Sequence, residues 1–374
     1  MDDRALGSAL RWLPLVGWAR PACPPLPARI AEITQIVRDA REPGADTVAG
    51  AAHALNKAAL LASDCGIPAL ASDLCRRHIT GYAAAGRPLT VPLARQMLGP
   101  AINLARLALH TGEPCKALHL LDAVNTAVAA GTDLVLDGCE LPLAGLTGGR
   151  DEHRRLRQSV WLHYLANSIR AHAQTGRWDL AARFAQDHGG IGDHLMEGRQ
   201  AAIISHCLSA APSAGRRLLT ASAISQPWEQ QVADCLTVMC AAPQEIRAAA
   251  RAMSCRFLDD QPADGRIVFH TRLGLTVAAL TECSEAGAAS EVLACVTEAV
   301  LRTADGYAAR DVLQTPAVTL LDPRHRERLT HLAENSGLGT GTLPAQLHQA
   351  LEDSVRAALA LLTASLASQG QVAG

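Results

Sequence analysis

The stretch HAQTGRWDLAARFAQDHGGIG, residues 172–192, gives the clearest indication of the fold of this chain. Its first residues continue an apolar pattern of helical spacing, and that pattern stops at Gly176. Glycine adopts the left-handed backbone that commonly ends a helix, so Gly176 marks a tight turn. A second helix begins at Trp178, whose indole we expect to pack between the two helices. The stretch therefore predicts a helical hairpin.

The same hairpin pattern recurs along the chain. Helical apolar runs on either side of a turn glycine occupy residues 48–86, 91–131, 156–188 and 266–303. Apolar residues make up 49% of the 374 residues but aromatic residues only 3%, so alanine and leucine, both strong helix formers, fill most of the helical faces. The period-two alternation typical of strands is nearly absent. We expect an all-α protein of about fourteen helices.

Three turns carry a resemblance to a known family. In TGRWDLAARFA (175–185), TGEPCKALHLL (111–121) and CGIPALASDLC (65–75), a turn glycine precedes alanine and a bulky apolar residue that face inward. In this respect the chain resembles the tetratricopeptide repeat (TPR) proteins over residues 48–130 and 156–188, and more weakly over 266–303. It is divergent, because its turn glycines are 46 and 64 residues apart, whereas the family's period is about 34 residues. The resemblance implies a right-handed α-solenoid of stacked hairpins with a concave binding face.

The interruptions of this pattern suggest the domain organisation. Residues 1–47 form an N-terminal segment with a first helix, and residues 48–336 form the helical-repeat array. Within the array, residues 131–153 lack helical periodicity and are predicted to be a non-helical insertion, in which TDLVLDGCELPL can make a short hairpin. Residues 337–374 form a linker and a long closing helix. The apolar stripe of that helix either closes the array or makes a homodimer contact through residues 343–367.

Charge and cysteine content narrow the functional classes. The formal net charge is −2 and no run of five like charges occurs, which disfavours nucleic acid as a partner. The eleven cysteines are scattered without a C-x-x-C pair, a pattern typical of free thiols in a reducing compartment. The N-terminus begins acidic, and no segment resembles a signal peptide or a membrane span. We predict a cytoplasmic protein that binds neither nucleic acid nor a membrane.

A polar pattern repeats in the first helix of two hairpins. INLARLALHTG (102–112) and ANSIRAHAQTG (166–176) align on their turn glycines, which superimposes two N-x-x-R patterns on one helix face. Such a ladder of amide and guanidinium groups suits the backbone or the carboxylates of an extended peptide. The predicted binding set is Lys57, Asn103, Arg106, His163, Asn167 and Arg170. The sequence leaves open the alternative that these groups hold the repeats in register.

A second polar group follows the opening stretch and consists of His188, His194, Glu197 and Arg199. Histidine and carboxylate side chains bind metals, but the H-E-x-x-H spacing is absent, and we interpret the group as a polar junction between repeats. The sequence also lacks hydrolase, kinase and phosphate-loop motifs. We therefore predict no catalytic residue, no metal and no cofactor.

These observations indicate an accessory or regulatory binding protein that holds a peptide or a partner protein on a concave face. The alternative is an enzyme, or the peptide-holding subunit of one, that acts on a peptide or small molecule in the same groove. Modification of a natural-product peptide is one example of such an activity. In that case residues 131–153 are the candidate lid.

Overall fold

The computed structural model describes residues 3–83, 88–209, 211–282 and 286–371. The described residues are 72% helix and form 17 α-helices, one short 3-10 helix and one two-stranded sheet. The predicted all-α class is therefore confirmed, although the count exceeds the expected fourteen. No helix in the described part of the chain is long and apolar enough to cross a membrane.

The elements, in chain order, are α1 (Asp3–Leu10), α2 (Leu26–Asp39), α3 (Thr47–Asp64), α4 (Pro68–Ala83), α5 (Val91–His110), α6 (Pro114–Ala130), β1 (Leu134–Leu136), β2 (Cys139–Leu141), α7 (Arg150–Gln174), α8 (Trp178–Asp187), α9 (Glu197–Leu208), α10 (Pro212–Thr220), α11 (Pro227–Cys240), α12 (Ile246–Asp259), α13 (Ile267–Thr281), α14 (Ala286–Thr303), α15 (Gly306–Leu313), the 3-10 helix Pro316–Leu320, α16 (Pro323–Asn335) and α17 (Ala345–Gln371). Several helices, such as α1 and α15 with 8 residues each, are too short to show a clear period in the sequence.

The chain divides into two compact units. Unit 1 contains residues 1–24 and 169–336, and unit 2 contains residues 25–168 and 337–374. These units differ from the domains expected from the sequence, because the boundary falls inside α7 and the closing helix belongs with the first hairpins. Sequence periodicity locates turns, but it does not report which distant helices pack together.

In unit 2, the helices pack on their neighbours in sequence: α3 on α4, α4 on α5, and α5 on α6. The closing helix α17 packs on α2, α3 and α4. Its apolar stripe is buried there, as shown by Leu351, Val355, Leu362 and Leu366, each at most 1% exposed. This packing covers the stripe without a second copy of the chain.

Two turns in unit 2 show how glycine positions the chain. Gly66 ends the first hairpin turn with a φ of 74°, and the loop 337–342 lies against it. A Cβ at Gly66 would stand 3.3 Å from the Cα of Gly339. Gly339 and Gly341 donate their backbone N–H groups to the carbonyls of Asp64 and Cys65, each at 2.8 Å. The segment expected to be a linker is thus docked on the end of α3.

The insertion after α6 forms the predicted hairpin. Strands β1 and β2 pair antiparallel, with Leu136 opposite Cys139, and the two turn residues Asp137 and Gly138 both have positive φ. Positive φ at both positions characterises the type I′ turn of a tight hairpin. Asp137 also pairs with Arg76 of α4 at 2.9 Å, so the hairpin is held against α4. Helix α7 begins at Arg150, slightly before the predicted end of the insertion at residue 153.

Unit 1 is built from successive helices to which the N-terminal residues return. Gln200 of α9 accepts a hydrogen bond from the N–H of Leu15 at 2.8 Å, and Asp305 accepts one from the N–H of Cys23 at 2.8 Å. The opening hairpin lies in this unit, where Gly176 has a φ of 72° and Trp178 is 3% exposed. The predicted turn is therefore confirmed, and Trp178 is buried, as expected of a packing residue.

Candidate binding pocket and polar row

Unit 2 contains a pocket of about 600 Å³ between α3, α5 and the first turns of α7, with His78 of α4 in its wall. This volume is in the range of about 300–1,000 Å³ that is common for ligand sites. Each helix contributes residues at i, i+3, i+4 or i+7, the spacing of a single helix face. The lining residues are Ala49, Ala52, His53, Asn56, His78, Val91, Pro92, Arg95, Gln96, Gly99, Glu152, Arg155 and Leu156.

Small residues create the space in this pocket. Ala49 and Ala52 on α3 and Gly99 on α5 lie where longer side chains would fill the gap between the helices. The remaining apolar wall comes from Val91 and Leu156, which are buried. The pocket therefore combines an apolar wall with a few polar groups, the composition that binding sites commonly have.

The exposed polar groups of the pocket are two arginines, one glutamate and one histidine, His53. Arg95 and Arg155 are both exposed, and neither makes a hydrogen bond or an ion pair with another described residue. Glu152 is the acidic member of the lining, and its carboxylate accepts a hydrogen bond from the N–H of Gly149 at 2.7 Å. Gln96 accepts a hydrogen bond from the hydroxyl of Tyr82 at 3.0 Å, and this contact leaves its amide N–H groups available.

His78 is the most unusual group in the pocket wall. Its side chain is 1% exposed, and neither ring nitrogen has a hydrogen-bond partner among the described residues. Burial lowers the pKa of His78 to about 3, so the imidazole is neutral at physiological pH. A neutral imidazole offers one N–H donor and one nitrogen acceptor. Leaving both unused costs free energy that a bound donor or acceptor would recover.

A polar row crosses the unit beside the pocket and consists of Asn56, Asn103, Arg106 and Asn167. Asn103 donates to the side-chain oxygen of Asn56 at 2.6 Å. Arg106 donates to the side-chain oxygens of Asn103 at 3.3 Å and Asn167 at 3.2 Å. The row thus links α3, α5 and α7 and brings together three residues of the predicted binding set.

Two of the three asparagines in the row have structural roles. Asn103 and Asn167 are each 8% exposed, and Asn167 donates to the backbone oxygen of His163 at 2.7 Å. Lys57 does not join the row but pairs with Glu32 at 2.6 Å. Since each residue of an α-helix is rotated by about 100° from the one before it, Asn56 faces α5 in its place.

Charges of both the pocket and the row act on the predicted residue His163. Partial loss of hydration lowers the pKa of His163, and the positive charges of Arg106 and Arg95 lower this pKa further. Because Arg95 lines the pocket and Arg106 belongs to the row, these two charges act on one imidazole. The pocket and the row therefore share one electrostatic environment.

The last member of the predicted set, Arg170, belongs to unit 1. Its guanidinium pairs with Glu197 at 3.0 Å, and Glu197 is 7% exposed. The structure therefore gives Arg170 a different partner from that of Arg106, although the two residues align in sequence.

The second polar group, also in unit 1, does not converge on one point. His188 stacks on Phe184 with ring centroids 4.2 Å apart, and His194 pairs with Glu229 at 3.0 Å. Arg199 is 5% exposed and donates to the carbonyls of Gly192 and Leu218 and to the hydroxyl of Ser222, at 2.6, 3.0 and 2.7 Å. Each residue of the group thus has its own partners. Among the described residues, no group of three or more His, Cys, Asp or Glu side chains lies close enough to hold a metal ion.

None of the pocket residues His53, His78, Arg95 and Arg155 belongs to the binding set predicted from the sequence. A signal for them was present in the small residues at helical spacing in α3 and α5, but that signal requires knowing which helices face each other. Comparisons with models of protein families, with curated proteins and with solved structures find no match to this chain.

Proposed function

We propose that this chain is a TPR-like binding protein whose pocket in unit 2 takes an acidic segment of a peptide or partner protein. The single observation that carries the proposal is one pocket with two arginines that pair with no other described residue and a buried imidazole. The nitrogens of that imidazole, His78, have no hydrogen-bond partner among the described residues. Hairpins closed by left-handed glycines at Gly66 and Gly112 support a solenoid-like stack of α3 to α6.

The charges of the pocket favour an acidic ligand. Arg95 and Arg155 present guanidinium forks, which bind carboxylates through paired N–H donors. Their position at the surface leaves them solvated in the free protein, so binding does not have to break an existing ion pair. Arg106 and His163 extend the same polar surface beyond the pocket and border the path that we propose for the peptide.

The buried wall favours a neutral polar group on the same ligand. A peptide unit carries one N–H donor and one carbonyl acceptor, which are the partners that the neutral ring of His78 lacks. The apolar lining from Val91 and Leu156 suits the aliphatic part of a side chain. An acidic residue within an extended peptide has all three features.

The polar row supports this pocket as a frame. Because Asn103 and Asn167 already donate to groups of the protein, we assign them to holding α3, α5 and α7 together and to orienting Arg106. The sequence left open whether these residues contact a peptide or hold the repeats in register. We assign peptide contact to Arg106 and the holding of the helices to Asn103 and Asn167. The ten cysteines in the described part of the chain are free thiols, which supports placing the protein in a reducing compartment such as the cytoplasm.

A random dodecapeptide array probed with the labelled full-length chain tests the proposal. We expect bound peptides to be enriched in Asp and Glu, and the best of them to bind the Arg95→Ala/Arg155→Ala variant at least about tenfold more weakly, since a hydrogen bond to a charged group contributes about 1.5–3 kcal/mol. Arg38→Ala, which removes an exposed arginine of α2 outside the pocket, is the matched control and is expected to bind normally. Enrichment of basic or purely apolar peptides, or equal binding by the double variant, would refute the proposal.

A further inference from the structure

Two thiols meet inside unit 1. The sulfur atoms of Cys207, in the last turns of α9, and Cys240, at the end of α11, are 2.7 Å apart, close to the disulfide bond length of about 2.05 Å. Gly215 of α10 lies directly beside them, where a Cβ would stand 3.1 and 3.2 Å from the two sulfurs. The absence of a side chain at this position leaves the room in which the thiols approach each other.

The surroundings of the pair favour a thiolate on one of its members. The hydrogen bond from Cys207 and the positive charge of Arg216 lower the pKa of Cys240 against the opposing effect of burial. Arg216 is held in place because it donates to the carbonyl oxygen of Cys240 at 2.9 Å. The same hydrogen bond, together with burial, raises the pKa of Cys207. The two sulfurs are thus hydrogen-bonded with their pKa values shifted in opposite directions, and the thiolate is the form that reacts with oxidants.

Access to the pair is asymmetric. Cys207 is partly exposed, whereas Cys240 is 1% exposed. An oxidant therefore reaches the sulfur of Cys207, and the sulfur of Cys240 lies behind it as the group that can attack the oxidised product. This arrangement, an accessible cysteine beside a resolving one, is that of redox-sensitive thiols.

We propose that Cys207 and Cys240 form a redox-modification site that a hydroperoxide converts into an intramolecular disulfide. After the pair loses one proton to solvent, the proton of Cys207 passes to the sulfur of Cys240, and the resulting Cys207 thiolate attacks the hydroperoxide ROOH. It takes up the terminal OH as a sulfenic acid and releases RO⁻, which solvent protonates to ROH. The sulfur of Cys240 then attacks the sulfur of Cys207, forms the S–S bond and displaces hydroxide, which leaves as water with the thiol proton. In sum, two thiols and one ROOH give one disulfide, one ROH and one water.

Other cysteines provide internal references. Cys75 is buried, and its burial raises its pKa to about 12, so it is expected to resist oxidation. Cys255 is exposed on α12, where an oxidant can reach it, and its sulfur contacts no other cysteine among the described residues. The proposed pair should therefore differ from Cys255 in its product, a disulfide, and from Cys75 in its reactivity.

The test uses the purified full-length chain, treated with hydrogen peroxide, denatured in N-ethylmaleimide and digested with trypsin without reduction. We expect a cross-linked peptide pair that joins Cys207 to Cys240, forms while the protein keeps its monomeric mass on a non-reducing gel, and disappears with dithiothreitol. Cys235 and Cys240 lie in one tryptic peptide, so fragmentation between them assigns the bonded sulfur. If Cys207 and Cys240 both carry maleimide at peroxide concentrations that oxidise Cys255, the proposal is wrong.

Variants sharpen the same experiment. Cys255→Ser, the matched control, should form the cross-link as the unmodified chain does, and Cys207→Ser should not form it. A cross-link from Cys240 to another cysteine that is unchanged in Cys207→Ser would contradict the proposal. The peptide map of the unmodified chain decides the question even if Cys207→Ser fails to fold.

Discussion

The buried arginine of unit 1 and the exposed arginines of unit 2 use their donors in opposite ways. Arg199 in unit 1 is 5% exposed and donates to three acceptors of its own chain. Arg95 and Arg155 in unit 2 are exposed and have no ion-pair or hydrogen-bond partner in the described part of the chain. The same side chain thus stabilises a loop junction in one unit and is available for a ligand in the other.

The histidines extend this contrast. In unit 1, His194 and His188 each have a partner, a carboxylate and a stacked ring. In unit 2, the ring of His78 lies 5.6 Å from that of Tyr82, but its two nitrogens are buried with no hydrogen-bond partner among the described residues. Satisfied polar groups indicate a structural role, because their desolvation is already compensated by hydrogen bonds. An unsatisfied buried group next to a pocket indicates a place for a ligand.

The largest expected effect comes from removing the buried arginine of unit 1. We expect Arg199→Ala to lower the free energy of unfolding of unit 1 by about 3 kcal/mol, since several charge-assisted hydrogen bonds are lost at once. Urea titration followed by hydrogen exchange of peptides from α9 and α10 measures it. Arg217→Ala, at an exposed site on α10, is the control and should leave the midpoint unchanged. If Arg199→Ala lowers the free energy of unfolding as little as Arg217→Ala does, the buried arginine does not stabilise unit 1 and the contrast with unit 2 is wrong.

An intermediate effect is expected on the stability of unit 2 at acidic pH. In the folded chain the pKa of His78 is about 3, below its ordinary value of 6.5, so between these values the unfolded chain binds more protons. His78 therefore makes unit 2 lose about 1.4 kcal/mol of stability per pH unit as the pH falls through this window. We expect His78→Phe to flatten this dependence, as measured by urea unfolding from pH 6.5 to 4 with hydrogen exchange of α4 peptides.

A suitable control for acid sensitivity lies in unit 1. His270 is also buried, and its pKa is lowered to about 4, mainly by burial. His270→Phe should flatten the acid dependence of peptides from α13 but leave that of α4 unchanged. Identical pH profiles for His78→Phe and the unmodified chain would show that His78 is solvated or partnered in solution.

The smallest expected effect is the difference in stability loss between a variant in the polar row and a variant in a surface ion pair. Asn103→Ala removes its hydrogen bonds to Asn56 and Arg106, and we expect a loss of about 1 kcal/mol in the stability of unit 2. Lys57→Ala removes an ion pair near the surface, which is expected to contribute less than about 0.5 kcal/mol. Thermal unfolding of both variants compares them. If Lys57→Ala is the more destabilising, the row does not hold the helices together.

Much of the local structure was predictable from the sequence because local rules govern it. The turn at Gly176, the hairpin around Asp137 and Gly138, and the burial of Trp178 each depend on backbone preferences or on a periodic apolar face. The aligned N-x-x-R patterns were also meaningful in part, since Asn103, Arg106 and Asn167 do lie together. Arg170 does not follow its sequence counterpart, because Glu197 is within reach of its guanidinium.

By itself, the sequence determined the helical class, the turns and the polarity of individual helix faces, since these depend on residues fewer than about ten positions apart. Tertiary structure alone decided which faces meet. It packed α17 on α2 to α4 and placed His78, Arg95 and Arg155 in the lining of one pocket. It also brought the sulfurs of Cys207 and Cys240 to 2.7 Å from each other. The physical reason is that burial and hydrogen bonding between distant segments determine whether a polar side chain is satisfied, and no local pattern records those contacts.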